Sequence, residues 1–320
     1  MLFVLCLLIS IFVAWLAPWI GEGHGPFSLR HIADYGVQGI FFGYGVTLGI
    51  GKIVRGLANW RLHLAVHLAT FLIFPLITLL AYGLFSNDST RTLWIGIAYV
   101  GALPTTVSSS VTMVSLARGN VPAAIFNAGI SSLLGVVFTP LWMSLLLTSG
   151  EHDFDFLTSF RGLALLVALP LILGMVLNPL WGEWFTQNRK FLRYFDQTVV
   201  LLIVYTSFCE SFGGNAFEGV NVQTLFSLNG GMFALFCLVY GILYIICRLC
   251  RFDRGDSIAV LFCGSKKSLM HGTAMAVVLF VGSGLSLGVV LLPIMIYHAL
   301  QLIVVSLLAT RYAATYSSQL

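Results

Sequence analysis

The sequence is poor in charge: charged residues make up 9% of its 320 positions, whereas hydrophobic residues make up 58%. Soluble globular proteins are about a quarter charged, because their surfaces face water. A chain with so little charge must expose most of its surface to lipid instead. A spanning helix needs about 20 mainly apolar residues, so this length has room for about ten spans with short loops and for no separate soluble domain.

Motifs that would indicate other functions are missing. There is no GxxxxGK[ST] loop, which argues against ATP-driven transport, and no HExxH motif, which argues against an intramembrane enzyme. A cation/proton antiporter is a further alternative, but a buried pair of aspartates is also missing. Cys247 and Cys250 form a CxxC with no second pair at zinc-ligand spacing, so we expect no metal site. We expect no cofactor and no nucleic-acid partner.

Ten apolar runs divide the chain. The first lacks a basic leader and an Ala-x-Ala cleavage pattern, so we expect a span and not a signal peptide. The runs are Leu2 to Trp19, Ala33 to Gly51, Leu62 to Phe85, Leu93 to Leu116, Val121 to Leu147, Phe160 to Trp181, Val199 to Phe212, Leu225 to Leu249, Ser257 to Gly282 and Leu285 to Ala309.

The cations are distributed unevenly between alternate loops. With the N-terminus inside, the cytoplasmic side receives Lys52, Arg55, Arg61, Arg118, Arg189, Lys190, Arg193, Arg248, Arg251, Arg254 and Arg311. The outer side receives Arg30, Arg91 and Arg161, together with the acidic stretch that begins at Glu151. Because Lys and Arg collect in cytoplasmic loops, we expect a cell (inner) membrane protein with both termini in the cytoplasm.

The fourth and ninth runs are interrupted at their middles by polar residues and helix breakers. The interruptions, at 104–112 and 263–268, lie about 160 residues apart, or half the chain. Five crossings reverse the direction of a chain, so residues 1–150 and 151–320 would form two inverted five-helix repeats. Broken helices in corresponding positions of such repeats indicate a binding site near the membrane midplane.

Lys266 and Lys267 lie in the second interruption. A cation at a helix centre costs about 2.5–3.5 kcal/mol on insertion scales, and neighbouring side chains point about 100° apart, so both cannot easily reach an interface. They could be compensated by Glu210 in the seventh run or by open carbonyls at the ends of broken helices. We favour a lysine that meets an anionic solute or replaces a coupled cation; the alternative is a structural ion pair with Glu210.

The run from Thr105 to Thr112 carries hydroxyls directly after Pro104. Hydroxyls and unwound carbonyls suit a small cation, whereas freed N–H groups suit a carboxylate or sulfate. The alternative is hydroxyls that bond to their own helix or to a neighbouring one.

Other polar residues of the runs are weaker candidates. Asn127 could be a ligand or a helix contact, and Thr70 is a weaker candidate than Asn127. We expect His271 to be packed and neutral and not a proton carrier, and we expect His63, His67 and His298 to be packing or interfacial residues. Gly43 and Gly45, and likewise Gly213 and Gly214, are interpreted as close helix contacts or loop turns.

The chain resembles the bile acid:sodium symporter family, and especially its SBF-like branch, over nearly its whole length. The motifs that carry the resemblance are Phe42-Gly43-Tyr44-Gly45-Val46-Thr47-Leu48, Ala102 to Ser110, Leu116-Ala117-Arg118-Gly119-Asn120, Leu169 to Gly174, and Phe262-Cys263-Gly264-Ser265-Lys266-Lys267-Ser268. The resemblance implies an all-α membrane protein of ten helices in two inverted repeats. It also implies a panel domain and a core domain in which helices 4 and 9 break and cross.

The resemblance implies secondary transport of a small organic anion by alternating access, commonly with sodium, in contact with membrane lipid. The expected solute contacts are Thr105, Thr106, Ser108, Lys266, Lys267 and His271. The expected cation ligands are Ser109, Ser110, Asn127, Thr70, Cys263, Ser265 and Ser268, with Glu210 as counter-ion.

Two positions depart from the sodium-coupled members of the family. Where those members have Glu and Gln in the ninth-helix segment, this sequence has Cys263 and Lys267. An ammonium 4 Å from Na⁺ repels it by about 4 kcal/mol at an effective dielectric of 20. Our hypothesis is that a lysine replaces one coupled sodium. That would leave a single Na⁺, a proton or simple exchange to drive transport.

Overall fold

The computed structural model describes residues 2–21, 28–48, 59–88, 90–147, 155–214, 216–217, 221–280 and 282–317. Their regular structure is helical, and these ranges contain no strand. Five helices are long and apolar enough to cross a membrane by length and composition: Trp60–Phe85, Val121–Leu147, Phe156–Gln187, Val222–Leu249 and Leu287–Ala314. Their leucines are widely exposed, as lipid-facing side chains are, and the all-α membrane class predicted from composition is confirmed.

In the described part of the first half of the chain, the helices overlap the predicted apolar runs. They are α1 (Leu2–Leu16), α2 (Leu29–Leu48), α3 (Trp60–Phe85), α4a (Arg91–Ala102) with α4b (Ser108–Leu116), and α5 (Val121–Leu147). The middle turn of α3, Ala69–Ile73, is π-helical.

The helices in the described part of the second half also overlap the predicted apolar runs. They are α6 (Phe156–Gln187), α7 (Arg189–Gly213), α8 (Val222–Leu249), α9a (Arg254–Gly264) with α9b (Leu269–Leu279), and α10 (Leu287–Ser317). The expected boundary between the halves at 150 and 151 lies outside the described residues, and so do Lys52, Arg55 and Glu151.

Helices α1, α2, α6 and α7 pack together as one group, and we call it the panel. Gly45 of α2 and Gly174 of α6 bring two backbones together: a Cβ on Gly45 would lie 2.0 Å from the carbonyl oxygen of Leu171. The interpretation of Gly45 as a close helix contact is therefore confirmed. Tyr205 Oη of α7 donates to the carbonyl of Ala17, which follows α1, at 3.3 Å.

The other helices pack around the two interruptions, and we call them the core. Panel and core meet where α7 ends and α10 begins. Ser286 Oγ donates to Ser211 Oγ at 2.7 Å, and the Gly288 N–H donates to the same oxygen at 2.9 Å. A Cβ on Gly288 would lie 2.5 Å from that oxygen, so a glycine is needed there.

Candidate functional site

The two helix interruptions lie against each other in the core. The Ser268 N–H donates to the Pro104 carbonyl at 3.0 Å, and Thr105 Oγ1 donates to the Cys263 carbonyl at 2.6 Å. Ser110 Oγ donates to the Phe262 carbonyl at 3.4 Å. The polar residues of each break therefore satisfy backbone groups that the other break leaves open.

Helices α5 and α10 satisfy further groups of the two breaks. Ser131 Oγ of α5 accepts from the Thr105 N–H at 3.0 Å. Gln301 of α10 makes two hydrogen bonds to Lys267: Oε1 accepts from its N–H at 2.8 Å, and Nε2 donates to its carbonyl at 2.7 Å. Tyr297 Oη donates to the Ser265 carbonyl at 2.7 Å. The unwound segments are held by neighbouring helices in one defined conformation.

The Lys267 ammonium is bound by backbone carbonyls. Its Nζ donates to the carbonyls of Thr70, Gly101 and Leu103 at 2.8, 2.6 and 2.8 Å. It also lies 4.3 Å from the ring centroid of Phe74, a cation–π contact. Its three N–H donors are thus all used, and the side chain is fully buried.

Local backbone geometry explains why these carbonyls are free. In the π-helical turn of α3 the Phe74 N–H donates to the Ala69 carbonyl, and the next residue, Pro75, has no N–H. The carbonyl of Thr70 therefore has no helical donor. The N–H of Thr105, which would bond Gly101 in a continuous helix, donates to α5 instead. Of the two compensators considered for the lysines, open carbonyls are the one found at Lys267.

Glu210 does not take the expected place of a counter-ion. Its neighbour Ser211 bonds Gly288 at the start of α10, whereas Lys267 bonds Gln301 on the same helix. At 1.5 Å per residue those two positions are about 20 Å apart along α10. Glu210 is also exposed, while both lysines are fully buried. The expected ion pair is therefore corrected by the structure.

Lys266 lies behind a chain of hydroxyls. Its Nζ donates to Ser109 Oγ at 3.0 Å, and Ser109 Oγ donates to Thr106 Oγ1 at 2.8 Å. Thr106 Oγ1 and Ser110 Oγ share a further bond of 2.7 Å. Ser109 and Thr106 line a cavity, so Lys266 contributes positive charge to its wall through Ser109.

A cavity of about 400 Å³ separates these hydroxyls from the panel. Of the expected site residues, Thr106, Ser108, Ser109 and Ser268 line it. The panel contributes Phe3, Tyr44, Arg193, Tyr194, Asp196, Gln197 and Val200; the rest of the core contributes Val107, Thr112, Met113, Leu269, Met270, His298 and Leu302. Arg193 and Tyr194 are exposed, so the cavity reaches the exterior where α7 begins.

Tyr44 and Asp196 line the cavity but were not among the expected solute or cation ligands. Tyr44 Oη donates to Asp196 Oδ2 at 2.5 Å, and Asp196 is 9% exposed. The seventh apolar run was predicted to begin at Val199, which left Asp196 outside it. Helix α7 begins ten residues earlier, at Arg189. An apolar run does not detect the part of a helix that lines a polar cavity.

His298 was expected to be a packing or interfacial residue, but it lines the cavity. The two bonds between Gln301 and the Lys267 backbone fix which end of the carboxamide is the donor. Its second N–H faces His298 Nδ1 at 2.9 Å. A neutral His298 therefore accepts at Nδ1 and carries its proton on Nε2, which makes Nε2 a donor.

The other expected ligands lie outside the cavity. Asn127 uses both ends of its amide, since Oδ1 pairs with His63 Nδ1 at 3.1 Å and Nδ2 donates to the Ala123 carbonyl at 2.9 Å. The Thr70 hydroxyl donates to its own helix at the Val66 carbonyl, 2.8 Å away. His271 is packed in the core, with Nδ1 2.8 Å from Ser268 Oγ and its ring centroid 4.9 Å from that of Phe41.

The remaining members of the expected cation set also have protein partners. The Ser265 hydroxyl donates to the carbonyl of Leu261 at 2.6 Å. Cys263 is buried, and its carbonyl accepts from Thr105. The described residues contain no cluster of His, Cys, Asp or Glu that could hold a metal ion.

Sequence comparison identifies the family. The profile of the SBF-like CPA transporter family matches residues 2–314. The chain belongs to this family. The resemblance stated from its motifs is thereby confirmed. The family and the names of its members indicate a multi-pass membrane transporter and not an enzyme.

Named relatives cover nearly the whole chain. "Uncharacterized protein PA2026" of Pseudomonas aeruginosa is 38% identical over 97% of this chain and 92% of its own length. "Putative symporter YfeH" of Escherichia coli is 34% identical over 97% of this chain and 92% of its own length. "Sodium/bile acid cotransporter 7-B" of Xenopus laevis is 31% identical over 96% of this chain and 90% of its own length.

Proposed function

We propose that the protein is a secondary transporter that moves a small organic anion by alternating access. The observation that carries the proposal is the cavity between panel and core, where donors from both interrupted helices converge. In this proposal ten spans form two inverted repeats of five in the cell membrane, with both termini in the cytoplasm. The relatives named symporter and sodium/bile acid cotransporter support the transport class.

The chemistry of the cavity favours an anion. Ser108 and Ser109 line it at the first turn of α4b, where the open N–H groups and the positive end of the helix dipole attract negative charge. Lys266 stands behind Ser109, and Arg193 lies at the exposed edge of the cavity. His298 adds a neutral donor. Hydroxyls, N–H groups and two cations suit a carboxylate, sulfate or sulfonate.

The closed end of the molecule supports alternating access. The cavity reaches the exterior where α7 begins, while the opposite end of α7 is joined to the core by Ser211 and Gly288. By the distribution of cations, the open end is the cytoplasmic one. Exchange of the solute across the membrane would require the Ser211 contacts to open and the cytoplasmic end to close.

The placement of Lys267 supports the hypothesis that this protein couples transport to fewer sodium ions than the sodium-dependent members of the family. Its fully buried ammonium donates hydrogen bonds to three carbonyls, one from α3 and two from the end of α4a. We therefore place Lys267 as a permanent cation in the core and not as a solute contact. It would neutralise the open helix end at every stage of transport, without a sodium ion at that position.

Uptake into proteoliposomes tests the function. Vesicles with and without the protein would receive labelled cholate as a carboxylate and labelled taurocholate as a sulfonate, with an inward gradient of Na⁺, of H⁺ or of neither. We expect saturable uptake of at least one probe, with a large loss in Ser109→Ala and none in Gly83→Ala, a position with open space around it. Proton flux driven by Na⁺ alone, without uptake of either probe, would instead support a cation/proton antiporter.

A further inference from the structure

We propose that Asp196 is a proton-binding site and that transport is coupled to protons through it. The inference rests on the proposed transport function, since it names the coupling ion of the same cavity. The site consists of the Asp196 carboxyl on α7, the Tyr44 hydroxyl on α2 and the wall of hydroxyls opposite them.

One oxygen of the Asp196 carboxyl accepts a hydrogen bond and the other does not. Oδ2 accepts from Tyr44 Oη at 2.5 Å. Oδ1 is buried and receives no hydrogen bond from the described part of the chain. An ionised carboxylate with a bare, buried oxygen is costly, and proteins relieve that cost with a proton or a cation. Oδ1 is therefore the position at which a proton would bind.

The groups that face Asp196 from the packed helices supply no fixed cation. From α2 the facing group is Tyr44, and the ionisable residues of the first turns of α2 lie at least about 13 Å away along the helix axis. From α10 it is His298, whose Nδ1 accepts from Gln301. The ionisable residue of α9b is His271, which lies outside the cavity with its Nδ1 2.8 Å from Ser268 Oγ in the core.

The remaining neighbours include two cations, Arg193 and Lys266, but neither forms a hydrogen bond with the Asp196 carboxyl. Helix α1 contributes Cys6 as its one ionisable side chain, and Glu183 of α6 is exposed. On α7 itself, Arg193 and Tyr194 are exposed at the edge of the cavity. Across the cavity, Lys266 is directed to Ser109 Oγ. Tyr44 is the hydrogen-bond donor that the described residues give Asp196.

A proton suits this site better than a metal cation. Ca²⁺ and Mg²⁺ need six or more oxygen ligands, and even the carbonyl site at Lys267 brings three oxygens together. No described group bonds Oδ1, and the Tyr44 hydroxyl donates to Oδ2. A single unpartnered carboxylate oxygen matches the requirement of one proton.

Position explains how the proton would be coupled to the solute. Asp196 and Ser109 line the same cavity, Asp196 from the panel and Ser109 from the core. An anion bound between them is repelled by an ionised Asp196 and tolerated by a protonated one. By linkage, proton binding raises the affinity for the anion and the anion raises the affinity for the proton. The expected result is symport of protons with the anion.

Infrared difference spectroscopy tests proton binding without any solute. The purified full-length protein, in sodium-free buffer, would be titrated from alkaline to acidic pH while the carbonyl band of protonated carboxylic acids is followed. We expect the wild-type protein to gain a band from a buried carboxylic acid at acidic pH. Asp196→Asn should lack this band and Asp196→Glu should keep it. In Tyr44→Phe the band should shift. Glu210→Gln, an exposed acid of the same helix, is the matched control and should keep the band. An unchanged band in Asp196→Asn would overturn the proposal.

Taurocholate uptake then tests the coupling in proteoliposomes free of sodium. We expect acid-outside gradients to accelerate uptake by the wild-type protein, whereas Asp196→Asn should retain exchange of taurocholate but lose the response to the gradient. A full gradient response in Asp196→Asn would overturn the coupling. If no variant or wild-type protein takes up any probe while the infrared band behaves as expected, the proposed solute class fails and the proton site stands.

Discussion

Replacement of Lys267 by alanine should convert a sodium-independent site into one that binds Na⁺. The side chain lies between the carbonyls of Thr70, Gly101 and Leu103, with three bonds of 2.6–2.8 Å. Without the ammonium, three buried acceptors lose their donor, at about 1–3 kcal/mol each. Relief from burying the charge offsets part of this cost, so the net loss of stability is smaller than the sum.

The magnitude of the sodium effect follows from Coulomb's law. In the wild-type protein the ammonium occupies the position that Na⁺ would take, and an ion displaced to about 4 Å from it is still repelled by about 4 kcal/mol at an effective dielectric of 20. Because 1.4 kcal/mol corresponds to a factor of ten, Lys267→Ala should bind Na⁺ about a thousandfold more tightly than the wild-type protein. At a Na⁺ concentration 100 times the Kd, the free energy of unfolding should rise by about 2.7 kcal/mol.

Thermal unfolding in detergent measures this effect, with Na⁺ replaced stepwise by choline at constant ionic strength. Lys267→Met is the matched control, because its uncharged side chain fills the lysine's space except at the terminal nitrogen and so leaves much less room for an ion and its waters than alanine does. It should melt below the wild-type protein with or without Na⁺. Lys266→Ala, which loses one hydroxyl partner at 3.0 Å and no carbonyl, should show no sodium response. Equal melting of Lys267→Ala in Na⁺ and in choline would refute the surrogate-cation reasoning.

Three further predictions concern the frame of the site. Oxidation of a Ser211→Cys/Ser286→Cys double variant should stop solute exchange, because the disulfide holds that end of the cavity closed, and a reductant should restore exchange. Each single variant should stay active. Continued exchange by the oxidised double variant would contradict gating at this contact. Gly45→Val should reduce the yield of folded protein, since its Cβ would meet a backbone carbonyl, whereas Gly83→Ala should melt like the wild type. Gln301→Leu removes three hydrogen bonds and should lower stability by about 2–4 kcal/mol in thermal unfolding; unchanged melting would contradict this.

The positions of the two breaks could be predicted because their causes are local. Pro104 removes a backbone donor, and the polar residues that follow it can satisfy a freed backbone. The observed breaks, at 103–107 and 265–268, overlap the predicted interruptions, but residues 108–112 of the first predicted interruption are helical. The close helix contact at Gly45 was predictable for the same reason, since only a residue without a Cβ fits there.

The partners of the lysines could not be predicted, because they depend on contacts between distant segments. The carbonyl of Thr70 is free only because a π-helical turn precedes Pro75, and nothing in the apolar pattern of α3 indicates that turn. The sequence identifies Glu210 as an acidic residue inside a predicted apolar run. It could not show that this residue lies at the other end of α10 from the site.

The proposed transport of an anion calls for two kinds of positive charge, one that is permanent and one that binds and leaves. A charge that stays in the protein can stabilise an open helix end. It cannot drive transport, because its contribution to the free energy is the same before and after each transport cycle. Lys267 is of this kind: its donors are all bound within the core. The driving charge must bind on one side and leave on the other, which requires a group on the wall that moves relative to the core. Asp196, on the panel side of the cavity with one bare oxygen, meets that requirement. Removal of Lys267 should therefore change stability and ion preference, whereas removal of Asp196 should uncouple transport without loss of the fold.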